Sequence, residues 1–286
     1  MPSTRAKFRW EVTLNSDTIL FALLGDPVSH SLGPMMHNTA FSELGYNGAY
    51  LAFRVKDIGK AVVGIKALGI KGASITIPHK VPVMDFLDEL DDTAEKIGAV
   101  NTIMNRKNVL TGYNSDGLGA VKALFERTTI KDKNVVILGA GGAARAIGFA
   151  TISEGARVTV INRTPAKGEK LAKDLGADFQ PISKLNKTAC HILINTTPVG
   201  MFPDIDAMPV RKRDLDKTMV VMDVVYNPLK TRLLRAAENI GCQTIDGVSM
   251  FVYQGAFQLE LWTGMKAPVE VMKKAVLDAL GKDNGQ

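Results

Sequence analysis

The stretch K133-N-V-V-I-L-G-A-G-G-A-A144 decides the fold of the second half of the chain. A short apolar run ends directly at a glycine-rich turn, and an alanine-rich segment follows it. Glycines spaced as G-x-G-x-x-A let the backbone approach a pyrophosphate, and the next helix presents unpaired N–H groups to that anion. We therefore predict a strand, a phosphate-binding turn and a helix. The alternative interpretation is a glycine turn that binds nothing.

The segments downstream have the spacing of further strand–helix–strand units. R157-V-T-V-I161, H191-I-L-I-N195 and M219-V-V-M-D-V-V225 are apolar runs separated by helix-length segments. This pattern is typical of a doubly wound sheet that binds a nucleotide. We assign residues 116–248 to this domain.

The first 115 residues also alternate strand-like and helix-like segments. Strands are predicted over residues 19–25, 49–55, 72–77 and 100–104, and helices over residues 34–44, 57–68 and 82–90. Such alternation favours a second, mostly parallel α/β sheet. Beyond residue 248 we predict helices over 250–263 and 268–280, which either cap the second sheet or return to the first.

Composition excludes several classes of protein. With 46% hydrophobic and 22% charged residues, the 286-residue chain is typical of a globular protein. The net charge of +6 suits an anionic ligand or simple solubility, and no basic run alternates with aromatics, so we expect no nucleic-acid partner. Cys190 and Cys242 are far apart and form no C-x-x-C pair, which predicts reduced thiols and no metal site. The absence of a signal-like or membrane-spanning apolar run predicts a cytoplasmic protein without a membrane partner.

The end of the second predicted strand of this domain indicates which dinucleotide binds. NAD-binding proteins usually carry a carboxylate there, which accepts hydrogen bonds from the ribose. This chain has N162-R-T164, followed by Lys167, and no carboxylate. Because a guanidinium grips a 2′-phosphate and a carboxylate repels it, we predict NADP. Alternatively, Arg163 is an ordinary solvated charge.

Three further stretches carry chemistry-bearing side chains. S29-H-S-L-G-P-M-M-H-N38 reads as a loop that enters a helix, with Pro34 suited to the first turn. T76-I-P-H-K80 puts a lysine just past a strand end, and N114-S-D-G117 puts an aspartate at the junction of the two halves. Lys80 and Asp116 would bracket a substrate hydroxyl if they met in a cleft. Singly, each is also compatible with a surface charge.

Taken together, the motifs resemble those of the shikimate dehydrogenase family. The resemblance spans about residues 17–264 in family order. It is carried by G25-D-P-V-S-H-S-L-G-P-M-M-H-N38, S74-I-T-I-P-H-K80, G98-A-V-N-T102, N114-S-D-G117, G139-A-G-G-A143, N162-R-T164, N195-T-T-P-V-G-M201, D223-V-V-Y-N-P-L229 and D246-G-V-S-M-F-V-Y-Q-G-A256. It implies an N-terminal substrate-binding α/β domain (residues 1–115) and a Rossmann-type NADP-binding domain, with the active site between them. It also implies that helices in residues 249–286 return to the first domain.

The family resemblance implies reversible oxidation of shikimate to 3-dehydroshikimate with NADP. By position, Lys80 is the acid/base residue and Asp116 its partner on the same hydroxyl. The residues implied to contact the substrate are Ser31, Gly33, Thr76, Asn101, Tyr226, Gln254 and Gln258. Those implied to contact the cofactor are Asp92, Gly139, Ala140, Gly141, Gly142, Ala143, Asn162, Arg163, Thr164, Lys167, Val224, Gly247 and Met250. No metal is expected, and His30 and His37 are assigned to loop structure and packing.

Two positions depart from the family pattern. The family usually has serine two residues after Ser31, where this chain has Gly33, so one hydroxyl donor to the substrate carboxylate is missing. Ser74 stands where the family usually has asparagine. Gly33 would also leave room for the extra hydroxyl of quinate, so a quinate-accepting enzyme is an alternative. A non-catalytic NADP-binding regulator is a more remote one, which Lys80 and Asp116 argue against. A monomer or a homodimer is expected.

Overall fold

The computed structural model describes residues 14–283, which form two six-stranded sheets. Within these residues no helix is both long and apolar enough to cross a bilayer. The mixed α/β architecture agrees with the fold class that the sequence predicts.

The first sheet combines three parallel strands with an antiparallel hairpin, and a short strand parallel to the second hairpin strand forms its far edge. Its strands are β1 (Ile19–Gly25), β2 (Gly48–Arg54), β3 (Gly72–Ile75), β4 (Glu89–Leu90), β5 (Thr102–Arg106) and β6 (Val109–Tyr113). Their order is β2-β1-β3-β5-β6-β4. β1 pairs in parallel with β2 and β3, whereas β5 runs antiparallel to β3 and β6. Lys107 and Asn108 form the β5–β6 turn with positive φ angles of 53° and 66°, as a tight hairpin turn requires.

The helices of this half are α1 (Gly33–Glu43), α2 (Ile58–Ala67) and α3 (Asp92–Ile97), and the next helix, α4 (Asp116–Phe125), packs in the core of the second sheet. Side chains that precede two of them cap the free backbone N–H groups of the first turn. The carboxylate of Asp57 accepts from the N–H of Lys60 at α2, and that of Asp91 accepts from Thr93 and Ala94 at α3.

The helix predicted over residues 82–90 is wrong. The segment forms a short 3-10 helix, Pro82–Phe86, and then the two-residue strand β4. Asp88 exchanges backbone and side-chain hydrogen bonds with Leu110 and pairs with Lys66, so this stretch joins the sheet instead of continuing as a helix. Tertiary pairing therefore overrides the apolar pattern here.

The second sheet is entirely parallel. Its strands are β7 (Asn134–Leu138), β8 (Arg157–Asn162), β9 (Asp178–Pro181), β10 (Ile192–Asn195), β11 (Val220–Asp223) and β12 (Gln243–Ile245), in the order β12-β11-β10-β7-β8-β9. The helices around it are α5 (Gly142–Ser153), α6 (Pro165–Leu175) and α7 (Arg232–Ile240). The strand order reverses between β7 and β10, and a ligand crevice is expected at the carboxyl ends of these two strands.

Two C-terminal helices complete the described chain: α8 (Gly247–Thr263) and α9 (Val269–Asp283). α8 begins a turn earlier than predicted, because Asp246 caps it by accepting from the N–H groups of Val248 and Ser249. Met250 belongs to the core of the second sheet, whereas Trp262 packs in the core of the first. α8 therefore joins the two cores. The predicted domain limit at residue 248 falls within its first turn, and the division itself stays a prediction.

The packing of α8 on the first sheet predicts opposite effects for two glycine substitutions. A Cβ at Gly72 would overlap the indole of Trp262, whose Nε1 donates to Ile103 O at 3.0 Å. We expect Gly72→Ala to lower the free energy of unfolding by about 1–3 kcal/mol, as overpacking does. Gly64 lies inside α2 with no atom within 4 Å of an added Cβ, so Gly64→Ala should raise it by about 0.5–1 kcal/mol. Urea unfolding of both variants measures these free energies. Equal changes in the two variants would contradict the packing of Trp262 against Gly72.

Candidate active site

Lys80 and Asp116 meet between the two halves of the molecule. Lys80 follows β3, and Asp116 is the first residue of α4. The Nζ of Lys80 lies 2.5 Å from Oδ2 of Asp116, and the two side chains are only 17% and 7% exposed. The other carboxylate oxygen, Oδ1, accepts from Nδ2 of Asn101 at 2.8 Å. A hydroxyl brought to this pair would meet both a proton acceptor and a cationic donor.

The same lysine lies against the glycine turn of the second sheet. A Cβ at Gly142, the first residue of α5, would be 3.4 Å from Cδ of Lys80. α4 and α5 also pack closely, because a Cβ at Gly117 would be 2.7 Å from the carbonyl oxygen of Ala146. The acid/base candidate from one half therefore stands next to the phosphate-turn candidate from the other.

The glycine turn has a backbone that requires glycine and a surface open to a ligand. Gly139 has a φ of +117°, and a Cβ there would be 2.5 Å from Oγ1 of Thr196. Gly141 precedes the first turn of α5 and has no atom within 4 Å of an added Cβ. Ala140 lies in the turn between β7 and α5, and Ala143 is the second residue of α5. These residues fit a pyrophosphate at the start of a helix.

The segment after β8 presents two cationic side chains. Asn162 ends the strand and its Nδ2 donates to the carbonyl of Thr164 at 2.9 Å, which holds the turn into α6. Arg163 and Lys167 are exposed, and within residues 14–283 their side chains make no hydrogen bond or ion pair. Both are therefore available to an anionic group.

Ser31, Gly33 and Tyr226 come together at the start of α1. Burial raises the pKa of Tyr226, and the nearby Ser31 side chain and Leu32 backbone act on it in the opposite direction. A Cβ at Gly33 would be 3.3 Å from Oγ of Ser31 and 3.6 Å from the hydroxyl of Tyr50. Hydroxyl groups thus surround the position where the family pattern has a serine.

The remaining cofactor-side candidates divide into two places. A Cβ at Gly247 would be 2.6 Å from the carbonyl oxygen of Val224, so the loop after β11 and the start of α8 are in direct contact. Met250 lies one turn further along α8 and is 7% exposed. Asp92 is exposed at the first residue of α3 and has no side-chain hydrogen bond to another described residue.

The remaining substrate candidates differ in exposure. Thr76 is half-buried against Gly25, and its carbonyl accepts from the N–H of His79. Gln254 is half-buried on α8, where its Nε2 donates to Phe251 O at 2.9 Å. Gln258 is 1% exposed, and both ends of its amide bond to protein groups. The structure therefore puts Gln258 beneath the other candidates instead of at their surface.

Comparison with known proteins assigns the chain to a family. The shikimate dehydrogenase substrate binding domain matches residues 23–103, the shikimate/quinate 5-dehydrogenase family matches residues 120–225, and the shikimate 5′-dehydrogenase C-terminal domain matches residues 247–277. The chain belongs to the shikimate dehydrogenase family. This confirms the resemblance seen in the sequence.

Individual relatives cover nearly the whole chain. A shikimate dehydrogenase (NADP(+)) of Pyrococcus abyssi is 46% identical over 265 residues, which cover 92% of this chain and 99% of the relative. A shikimate dehydrogenase (NADP(+)) of Methanocaldococcus jannaschii is 44% identical over 288 residues, which cover 94% of this chain and 100% of the relative. The crystal structure of shikimate 5-dehydrogenase from Thermus thermophilus with NADP(H) and shikimate has a TM-score of 0.86 and 35% identity, covering 91% of this chain and 99% of that one.

Several contacts in this member of the shikimate dehydrogenase family have no counterpart in the sequence predictions. The ring of exposed His30 lies 6.1 Å from that of Phe202, so the loop after β1 meets the loop after β10. His37 is 1% exposed and stacks on Tyr50 with ring centroids 4.4 Å apart. The described residues contain no group of three or more His, Cys, Asp or Glu side chains placed to hold a metal ion. A local sequence pattern could not reveal these pairings, because their partners are distant in the chain.

Asp223 is a fully buried carboxylate that supports the loop carrying Val224 and Tyr226. Its Oδ1 accepts from Nδ2 of Asn195 at 2.9 Å and from the N–H of Val225 at 3.1 Å. Its Oδ2 accepts from Oγ1 of Thr231 at 2.7 Å. Burial raises the pKa of Asp223 from 3.8 to about 6, although these three hydrogen bonds act in the opposite direction. This carboxylate therefore orders the loop at a cost in stability when it is charged.

The raised pKa of Asp223 predicts the sign of a stability change with pH. Because the folded-state pKa is the higher one, the stabilising contribution is complete below about 3.8 and is lost as the pH rises through about 6. Relative to Asp223→Asn, the wild type should lose about 3 kcal/mol of unfolding free energy over this range. Asp216 is exposed and its hydrogen bonds to Thr218 lower its pKa, so its contribution is lost only as the pH falls below about 3.8, and the comparison with Asp216→Asn should show no comparable loss between pH 4 and pH 8. Urea unfolding between pH 4 and pH 8 measures both, and an Asp223 difference that is constant with pH would refute the assignment.

Proposed function

We propose that this chain is an NADP-dependent shikimate dehydrogenase, which catalyses reversible hydride transfer between shikimate and 3-dehydroshikimate. The observation that carries the proposal is the contact between Lys80 and Asp116, directly beside the glycine turn. The curated relatives that match nearly the whole chain are named shikimate dehydrogenase (NADP(+)).

The paired charges account for the proton side of the reaction. Oxidation removes a hydride from the carbinol carbon and a proton from its hydroxyl oxygen. NADP+ supplies the hydride acceptor when it is bound at the glycine turn. Lys80 and Asp116 hold the hydroxyl between them and take up its proton as the carbonyl forms. In the reduction direction, the ammonium of Lys80 donates this proton to the developing alkoxide.

Other side chains orient the substrate. Ser31 would donate to its carboxylate, and Tyr226, which lies near Ser31, would contact the carboxylate or a ring hydroxyl. Thr76 and Gln254 would contact the carboxylate or the ring hydroxyls, and Asn101, which is 2% exposed, would act through Asp116. On the cofactor side, Val224, Gly247 and Met250 would contact the nicotinamide, and Asp92 is a further candidate.

The glycine turn and the cations after β8 would hold the two phosphate-bearing parts of NADP. The backbone of Gly139–Ala143 would hold the pyrophosphate. Asn162, Thr164 and the cations Arg163 and Lys167 would hold the adenosine end, where a guanidinium favours a 2′-phosphate.

We also propose a cytoplasmic location, supported by free Cys190 and Cys242. For the assembly we propose a monomer or a homodimer.

Gly33 favours quinate use as a second candidate function. The position lacks a side chain next to Oγ of Ser31 and the hydroxyl of Tyr50. Quinate carries a hydroxyl on the ring carbon that bears its carboxylate, and the absence of a side chain at Gly33 would leave this hydroxyl less crowded. The two candidates share one mechanism and differ only at this end of the site.

The cofactor assignment predicts a selective loss in Arg163→Ala. NADP should bind more weakly because it loses a charge-assisted contact worth about 1.5–3 kcal/mol, whereas NAD should be nearly unaffected. Lys173→Ala removes an exposed cation from the last turn of α6, the helix that follows Arg163, and serves as the matched control. KM and Kd for both dinucleotides measure the effect. Equal losses for NADP and NAD would count against Arg163.

The acid/base assignment predicts that Lys80→Ala lowers kcat by about 10²–10⁴. NADP affinity should stay near that of the wild type, since Lys80 belongs to the other half of the molecule. Lys96→Ala, on α3, is the control for losing an exposed lysine. Steady-state kinetics and dinucleotide binding test this. A folded Lys80→Ala enzyme that keeps more than about a tenth of kcat would remove Lys80 from the proton step.

Gly33→Ser and Gly33→Ala separate the donor from the steric effect at the carboxylate end. The serine should lower KM for shikimate by adding a donor and should lower kcat/KM for quinate by crowding its extra hydroxyl. The ratio of kcat/KM values should move toward shikimate by about 1–3 kcal/mol. Since an added Cβ is already 3.3 Å from Oγ of Ser31, Gly33→Ala should show the crowding without the gain for shikimate. An unchanged ratio, or one that moves toward quinate, would show that Gly33 does not face this end of the substrate.

A further inference from the structure

A continuous chain of side-chain hydrogen bonds runs beneath the site, from the carboxylate end to the acid/base pair. At one end, the hydroxyl of Tyr50 donates to Oγ of Ser74 at 2.7 Å. Ser74 in turn donates to Oε1 of Gln258 at 2.9 Å. At the other end of the same amide, Nε2 of Gln258 donates to Oγ1 of Thr102 at 2.9 Å. Gln258 therefore links the two parts of this series of hydrogen bonds.

The second part of this series of hydrogen bonds ends at the proposed catalytic carboxylate. Oγ1 of Thr102 donates to Oδ1 of Asn101 at 2.7 Å. Nδ2 of Asn101 donates to Oδ1 of Asp116 at 2.8 Å, and Asp116 holds Lys80 through its other oxygen. Asn101, Thr102 and Gln258 are each 2% exposed or less. Because water does not reach these groups, each must find its partner within the protein.

The direction of each bond follows from counting donors and acceptors. Ser74 uses its single proton on Gln258, so the oxygen of that amide faces Ser74 and its NH₂ group must face Thr102. Thr102 then spends its own proton on the oxygen of Asn101. The backbone N–H of Ser115 donates to the same oxygen at 2.9 Å, so the NH₂ group of Asn101 faces Oγ of Ser115 and Asp116, where a donor is needed. If the Asn101 amide were reversed, two oxygens would oppose each other beside the proton-transfer pair.

We propose that Gln258 is a positioning residue, which orients Asp116 through Thr102 and Asn101. This proposal rests on the proposed function, because it gives Asp116 a part in the proton step. It replaces the substrate contact that the sequence predicts for Gln258, since both ends of its amide are already bonded inside the protein.

The proposal also explains the serine at position 74. Ser74 stands where the family pattern usually has an asparagine, and its short side chain leaves space that the longer Gln258 reaches across from α8. The two residues are 184 positions apart in the sequence and act as one unit. Gln258 thus contributes to the acid/base pair without contacting the substrate itself.

Gln258→Met tests the proposal by removing both polar ends at similar size. We expect kcat to fall by about 10- to 100-fold, the range that a small misplacement of a reacting group produces. KM for NADP should stay unchanged. Thr102→Val breaks the next link and should lower kcat similarly, whereas Thr102→Ser keeps the hydroxyl and should retain most of it. Thr151→Val removes another fully buried hydroxyl, bonded to Ile147 within α5, and should leave kcat unchanged.

The double variant Gln258→Met/Thr102→Val shows whether the two residues affect kcat through one series of hydrogen bonds or independently of each other. If Gln258 acts through Thr102, the double variant should be no slower than the slower single variant. Multiplied losses, or a folded Gln258→Met enzyme within about threefold of the wild-type kcat, would overturn the proposal. Gln258→Glu is a second variant, which tests the proposal if the Gln258→Met protein does not fold. Its carboxylate draws the Thr102 proton away from Asn101, so kcat should again fall.

A readout without substrate separates this proposal from the proposed function. If the wild type oxidises neither shikimate nor quinate, the proposed function fails. Competitive acetylation, with peptide mass spectrometry at Lys80, then decides the positioning role. Lys80 should react faster in Gln258→Met and Thr102→Val than in the wild type or in Thr151→Val, because Asp116 holds its ammonium less often. Equal rates in all four proteins would overturn the positioning role.

Discussion

The contact between Lys80 and Asp116 is the interaction on which the site depends. A carboxylate that is 7% exposed needs hydrogen-bond donors on both oxygens, and Lys80 and Asn101 supply them. These three residues come from different elements: the loop after β3, the stretch before β5 and the first turn of α4. The fold therefore has to bring three separate chain segments to one point with errors well below a bond length. The buried hydrogen bonds beneath them are the means by which it does so.

Both sheets turn the same kind of edge toward this point. β3 leads to Lys80 at its carboxyl end, and β7 leads to the glycine turn at its own. In parallel sheets the carboxyl ends carry loops and helix starts, where backbone N–H groups are free for anions. α4 and α8 hold the two edges together: α4 packs on α5 through Gly117, and α8 reaches from one core to the other. The arrangement explains how one half can act on a substrate while the other holds the electron acceptor.

Features with a local signal could be predicted from the sequence, and features that depend on distant pairing could not. The glycine turn at 139–143 was predictable because its φ angle and its close contacts demand glycine within a few residues of a buried strand. The 3-10 helix and short strand at 82–90 were not, because Asp88 is drawn into the sheet by Leu110. Likewise, the sequence suggests Gln258 as a site residue but cannot show that Ser74 occupies one end of its amide. The family pattern identifies residues, whereas only the three-dimensional structure shows which of them are beneath the site.

The most direct test of the central claim is steady-state kinetics of the unmodified protein on shikimate and on quinate, each with NADP and with NAD. We expect the highest kcat/KM for shikimate with NADP, and a lower kcat/KM with NAD for whichever acid is used. Turnover that is equal with both dinucleotides would contradict the role given to the cations after β8. No turnover of either acid with either dinucleotide would contradict the proposed function itself.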